Sequence, residues 1–136
     1  MTQILLIGPD APLLEGLSQS LAALGHAPVV ALSLHDAREL ALQQAPLVAV
    51  VSRALAAEAS ADLLGIRLAP GGALVLYRSV GGQQVALAPT LQRSVLADLT
   101  LPLERNRLVA LVVHVEERAK AAGRARVKGS SDQLEA

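Results

Sequence analysis

Five short apolar runs recur along this chain, and helix-like stretches separate most of them. The third run contains no polar residue and no alternation, which is typical of a central strand buried on both faces. Strands that alternate with helices predict a parallel sheet covered by helices, with a ligand site beyond the carboxyl ends of the strands. The five runs lie at residues 4–7, 29–32, 47–51, 73–76 and 96–101.

Capping residues and helix breakers set the expected ends of the elements. Asp10 can cap the first helix and Ser33 the second, and Gly25 supplies a stop for the first. Residues 81–87 fit either a helix or a tight turn with a returning strand. We expect strands at about residues 3–8, 28–32, 47–51, 73–76 and 96–100, and helices at about 11–24, 33–44, 58–68 and 104–122.

Length and composition bound the fold and the compartment. The chain has 136 residues, 52% of them hydrophobic, which suffices for one core and is short for two domains. We predict one domain at residues 1–122 and a disordered tail at 123–136, where polar and basic residues follow a glycine. The chain has no cysteine, no basic leader and no apolar run near the roughly 18 residues that span a bilayer. These features predict a cytoplasmic protein without disulfides or contact with a membrane.

The charge balance argues against nucleic acid as a partner. The charges of twelve basic and twelve acidic residues cancel. The chain contains one tyrosine and no phenylalanine or tryptophan. A nucleic-acid surface needs a basic patch for the phosphates or aromatic rings for the bases. We therefore expect a protein partner.

The turns after the strands carry few reactive side chains. Asp10 is the one carboxylate in these turns, and they contain no lysine. The scaffold of a switch or an enzyme is therefore predicted without its usual chemistry. The segments expected at this edge of the sheet are Gly8-Pro9-Asp10, Ser33, Ser52-Arg53, Tyr77-Arg78-Ser79 and Leu101-Pro102.

Three segments, taken together, resemble the receiver domain of bacterial response regulators. They read Ile-Leu-Leu-Ile-Gly-Pro-Asp at residues 4–10, Ala-Pro-Leu-Val-Ala-Val-Val-Ser at 45–52 and Asp-Leu-Thr-Leu-Pro at 98–102. The resemblance covers about residues 3–122. It implies a doubly wound, flavodoxin-like α/β fold with five parallel strands in the order 2-1-3-4-5. We expect the helix between the fourth and fifth strands to be short, displaced or replaced.

The same resemblance implies phosphorylation of an aspartate with the help of Mg²⁺, but this chain departs from nearly every functional position. The family holds the metal with an acid pair after strand one and the acceptor aspartate after strand three. A hydroxyl after strand four and a lysine after strand five contact the phosphoryl group. Here Gly8 and Pro9 stand at the acid pair, with Asp10 one place late, and Val51 or Ser52 stands at the acceptor position. Tyr77 stands at the hydroxyl position, and Leu101, followed by Pro102, stands at the lysine position. Asp98 stands where the family commonly has an aromatic residue.

Mg²⁺ needs several oxygen ligands with carboxylates among them, and phosphoryl oxygens need cationic or hydrogen-bonding partners. We therefore predict a degenerate receiver, or pseudo-receiver, with no metal, no cofactor and no catalytic residue. Asp10 as a lone metal ligand and Ser52 as a phosphoacceptor are the less favoured interpretations, because a helix cap and the polar end of a buried strand explain these residues.

Two functional hypotheses follow. In the first, the chain is a non-catalytic signalling module of a two-component or related pathway that binds a protein partner or a second copy. The expected surface is the face of the fifth strand and the last helix, because that helix carries apolar residues over a wide arc. The residues predicted for this interface are Asp98, Arg105, Leu108, Val112 and Val115.

In the second hypothesis, the chain is an atypical switch that responds to phosphorylation or to a small ligand, or a small α/β enzyme. It would use Ser52, Arg53 and Arg78 as an anion pocket, because the arginine guanidinium matches the geometry of phosphate. The missing carboxylates, lysine and cysteine favour the first hypothesis.

Overall fold

The structure of the chain is a computed structural model that describes residues 2–59, 62–63, 65–79 and 87–135. The stretch left open between a helix and a strand lies almost entirely outside these ranges. The strands are β1 (Gln3–Ile7), β2 (Ala27–Ala31), β3 (Val48–Ser52), β4 (Ala73–Ser79) and β5 (Val95–Leu101). The helices are α1 (Ala11–Ala23), α2 (Leu34–Gln43), α3 (Arg53–Glu58), α4 (Pro89–Ser94) and α5 (Arg105–Glu135).

The five strands form one parallel sheet in the order β2-β1-β3-β4-β5. This order confirms the predicted flavodoxin-like α/β fold. β3 occupies the centre and is buried along its whole length, as its apolar sequence predicted. β2 and β5 are the edge strands, so β1, β3 and β4 bring their carboxyl ends together at the middle of one edge.

Two apolar layers cover the two faces of the sheet, because successive side chains of a strand point to opposite faces. On one face α1 and α5 pack against residues such as Leu6 and Val50. On the other face α2, α3 and α4 pack against residues such as Leu5 and Val51. Two buried layers around one sheet explain how a chain with almost no aromatic residues still builds a continuous core.

Two of the three residues predicted to cap or end a helix, Gly25 and Ser33, do so in the structure, and Asp10 makes no side-chain cap. Ser33 caps α2 as expected, since its hydroxyl accepts a hydrogen bond from the Asp36 backbone N–H at 3.2 Å. Gly25 follows α1 with a φ of +91°, which only glycine adopts without strain. The expected cap by Asp10 is wrong: its side chain makes no capping hydrogen bond, because the carboxylate binds a residue of β4.

The helix after β3 begins earlier than predicted. We expected it at residues 58–68, but α3 starts at Arg53, directly after the strand, and residues 62 and 63 are helical as well. The alanines at the start of this segment are strong helix formers, so no loop is needed there. α4 has six residues, which confirms the expected short element before β5.

The last helix is longer than predicted. We expected it to end near Ala122 before a disordered tail at residues 123–136, but the helical backbone continues to Glu135. The residues after Gly123 include arginine, alanine and lysine, and each of Gly123 and Gly129 costs only about 1 kcal/mol in a helix. The assignment of residues 1–122 as the domain remains a prediction. Within the described ranges, no helix is both long and apolar enough to cross a membrane.

Candidate functional site

The carboxyl ends of the three central strands place most of the predicted site residues together. The strand register sets Ile7 beside Val51 and Ser52 beside Tyr77. Gly8, Pro9 and Asp10 follow β1, so they lie at the same edge of the sheet. The resemblance to receiver domains implies a metal and a phosphoryl group at this edge.

The Tyr77 side chain fills this edge and is fully buried. A Cβ atom built on Gly8 would lie 2.2 Å from the Tyr77 hydroxyl oxygen and 3.2 Å from its Cζ atom. The same Cβ would lie 3.2 Å from the Ser52 Cβ. No side chain, and therefore no carboxylate, fits at position 8 unless Tyr77 moves.

Two polar neighbours hold the Tyr77 hydroxyl. The phenol donates a hydrogen bond to Asp10 Oδ2 at 3.2 Å. Burial raises the pKa of the Tyr77 phenol far above its usual value of 10.0, and the negative charge and hydrogen bond of Asp10 act in the same direction. A side-chain hydrogen bond from Ser52 opposes this shift in the pKa. Tyr77 is therefore a neutral hydrogen-bond donor at physiological pH, and Asp10 serves as its acceptor.

The two remaining positions of the family pattern are apolar and buried. Val51 belongs to the layer under α2 and α3, and Leu101 belongs to the layer under α1 and α5; neither is exposed to solvent. The peptide bond between Leu101 and Pro102 is cis. Within residues 2–59, 62–63, 65–79 and 87–135, no three acids, histidines or cysteines are grouped so that they could hold a metal ion.

The three residues of the predicted anion pocket each contact another side chain, and the pocket itself remains a prediction. Ser52 hydrogen-bonds to Tyr77, while Arg53 forms an ion pair with Asp98 of β5. Arg78 follows Tyr77 in β4 and points to the opposite face, where its Nε donates to Thr100 Oγ1 at 3.2 Å. The Ser52 hydroxyl is therefore engaged with Tyr77, while the two guanidinium groups contact β5 residues two positions apart.

A second polar cluster lies beside Arg78 where β5 meets α5. The Thr100 backbone N–H donates to Glu104 Oε1 at 2.7 Å, and Arg107 Nη1 lies 2.9 Å from Glu104 Oε2. These two hydrogen bonds lower the pKa of the Glu104 carboxyl, with a smaller contribution from the positive charge of Arg78. Glu104 therefore fixes the turn that leads from the sheet into α5.

The predicted interface on the last helix is wrong for three of its five residues. Leu108, Val112 and Val115 are fully buried in the layer beneath α5, because this stripe of the helix faces the sheet. Arg105 and Asp98 are exposed, although Asp98 is paired with Arg53. The exposed large apolar side chains on β5, the following turn and the described part of α5 are Leu96, Leu103 (75% exposed) and Val113 (41% exposed).

Sequence reasoning missed the two contacts that define this edge. A glycine and a tyrosine 69 positions apart carry no joint signal in one sequence, so the match between Gly8 and Tyr77 becomes visible only in three dimensions. The same is true of the pair between Arg53 and Asp98, which crosses β4. Only the strand ends themselves were predictable, because the order of the strands follows from the fold.

The comparisons with known proteins identify the fold. No protein-family profile and no curated protein matches the chain. Among solved structures, a response regulator receiver domain protein from Clostridium thermocellum has a TM-score of 0.71 at 16% identity, over 90% of this chain and 99% of that one. The beryllofluoride-activated dimer of the NtrC4 receiver domain has a TM-score of 0.63 at 17% identity, over 86% of this chain and 98% of that one.

A longer protein also contains this fold as one part. NtrX from Brucella abortus has a TM-score of 0.68 at 17% identity, over 93% of this chain but only 29% of its own. The chain thus spans under a third of NtrX and nearly all of the isolated receiver domains. At these identities the likeness establishes the receiver-domain fold.

Proposed function

We propose that this chain is a receiver-like signalling module of a two-component or related pathway that acts by binding proteins and not by aspartyl phosphorylation. The fold is that of response regulator receiver domains. The function would lie in the shape and surface of the domain, because its strand ends offer no carboxylate at the acceptor position and no lysine for a phosphoryl group.

One observation carries this proposal: the Tyr77 hydroxyl occupies the space directly over Gly8. In receiver domains, the first residue after strand one supplies a carboxylate to the metal. Here that position has no side chain, and an aromatic ring held by Asp10 fills the volume. A buried leucine at the lysine position supports the same conclusion.

The proposed contact surface is the β5/α5 face, defined now by its exposed residues Leu96, Leu103, Arg105 and Val113. Exposed large apolar side chains on β5, on the following turn and on α5 favour contact with another protein. The dimeric state of the NtrC4 receiver domain supports a homodimer as one form of this contact. A different protein that docks on the same face is the other form.

Sedimentation equilibrium of the full chain tests the homodimer. We expect a monomer–dimer equilibrium that Val113→Glu weakens at least tenfold, because burial of an aliphatic side chain contributes roughly 1.5–3 kcal/mol and a buried charge opposes association. Leu42→Glu is the matched control, since Leu42 is an exposed leucine on α2, on the other side of the sheet.

Two outcomes would contradict the proposed surface. Equal weakening by both substitutions would show that the β5/α5 face is not special. A wild-type chain that remains monomeric at high micromolar concentration would remove the homodimer and leave only a different protein as partner. Circular dichroism must first show that each variant is folded, because the neighbouring residue Val112 belongs to the core.

A further inference from the structure

A groove runs along the opposite edge of the molecule, between the edge strand β2 and α2. It consists of two adjoining cavities of about 160 and 370 Å³ that share Leu40 and Gln43 in their walls. Val29 and Leu32 line this groove and are 41% and 54% exposed. The groove therefore offers apolar surface to solvent along most of the length of α2, which is about 15 Å for ten residues.

The charged residues that line the groove are acidic. Asp36 and Glu39 line the larger cavity, and the lining of neither cavity includes a lysine or an arginine. Glu39 Oε1 lies 3.6 Å from Nε2 of the exposed His35 within α2. A segment that fills this groove should therefore combine small apolar residues with basic ones.

The chain contains one segment of this kind, at residues 118–128 in the distal part of α5. Five of the twelve basic residues of the chain fall in these eleven positions, together with alanine, glycine and one valine and without any acid. The helix rises about 16 Å over eleven residues, which matches the length of the groove. The basic residues are Arg118, Lys120, Arg124, Arg126 and Lys128.

The segment follows the part of α5 that packs on the sheet. Val115 is the last buried residue among the described side chains of α5, and residues 120–122 are exposed. α5 packs on the face of the sheet opposite to α2, and its backbone continues as one helix to Glu135. An isolated helical segment is marginally stable in water, so the extension gains from a second surface.

We propose that the basic distal part of α5 docks in the acidic β2/α2 groove of a second copy of this chain. The charge and the length of the segment match those of the groove, and α5 packs on the face of the sheet opposite to the groove. Closed two-fold pairs are the commonest homo-oligomers, so each copy would give its helix to the other. This contact is separate from the β5/α5 face and does not depend on the proposed function.

Sedimentation of full-length variants tests the proposal, in a Val113→Glu background that weakens the proposed β5/α5 contact. We expect residual self-association that falls with added salt and that Glu39→Lys weakens about tenfold, because attraction becomes repulsion. Arg126→Glu should weaken it similarly, and the combined variant Glu39→Lys/Arg126→Glu should recover at least part of the loss. Glu15→Lys is the matched control, since Glu15 is an exposed acid on α1.

The possible results separate clearly. A background variant that stays monomeric at low salt overturns the proposal, as does equal weakening by Glu39→Lys and Glu15→Lys. Association that is lost with Arg126→Glu but kept with Glu39→Lys would assign the basic segment to another acidic surface. If both single variants lose self-association and the combined variant recovers it, the docking is supported. If the combined variant does not recover self-association, the docking is contradicted.

Discussion

The contact between position 8 and Tyr77 predicts a specific energetic coupling. In Gly8→Ala the new Cβ would lie 2.2 Å from the hydroxyl oxygen of Tyr77, whose side chain is fully buried. Overpacking of this kind costs about 1–3 kcal/mol of unfolding free energy. Tyr77→Phe removes the oxygen and the hydrogen bond to Asp10, which costs about 1 kcal/mol.

The double variant should be more stable than the sum of the single changes predicts. With phenylalanine at position 77 the nearest ring carbon lies 3.2 Å from the new Cβ, a tight contact that a small shift relieves. We therefore expect a coupling energy of about 1–2 kcal/mol in favour of the double variant.

Urea unfolding followed by circular dichroism measures all four proteins of this cycle. Gly16→Ala is the control: no atom lies within 4 Å of its built Cβ, and it sits in the exposed part of α1, so this change should stabilise by about 0.5–1 kcal/mol. Additive losses from the two single changes, within about 0.5 kcal/mol, would refute the reasoning that Tyr77 fills the site over Gly8.

Two further predictions concern pH. Tyr77 is the only tyrosine and the chain has no tryptophan, so ultraviolet absorbance reports the ionisation of Tyr77 alone. The raised pKa of its phenol predicts no tyrosinate signal until the chain unfolds at strongly alkaline pH. Titration of Tyr77 in the native chain near pH 10.0 would contradict this prediction. The lowered pKa of Glu104 predicts stability that is present above the ordinary pKa of 4.5 and lost as the pH falls through the lower, folded value. The difference in urea midpoint between wild type and Glu104→Gln should therefore shrink on acidification from pH 7, and a constant difference would show that the charge has no role.

The sheet was predictable because its determinants are local. The composition of runs such as residues 47–51 predicts both a strand conformation and burial. A parallel sheet allows few ways to connect such strands. Ser33 likewise needs only the backbone three residues on to act as a cap. The central position of β3 follows from its apolar sequence, while the strand order was implied by the resemblance to receiver domains.

The site and the surface were less predictable because they depend on contacts between distant residues. Asp10 carries a capping signal, yet Tyr77 reaches it from β4, and the hydrogen bond replaces the cap. On α5 the apolar residues extend over a wide arc, and Val112 was assigned to the interface although its helical spacing from Leu108 and Val115 is typical of a buried stripe; Val113 is the exposed neighbour. One residue of helical rotation, about 100°, changes the role from core to surface.

The most direct test of the central claim is treatment of the chain with acetyl phosphate and Mg²⁺. Intact mass spectrometry detects a phosphoryl adduct, and backbone amide resonances of Gly8, Asp10 and Ser52 report metal at the strand ends. A receiver domain with its carboxylates and lysine intact serves as the positive control. We predict no adduct on this chain and no saturable shift of these resonances with Mg²⁺, because Tyr77 fills the site and Leu101 is buried in place of the lysine. A phosphoryl adduct, or saturable Mg²⁺ binding at these residues, would contradict the account.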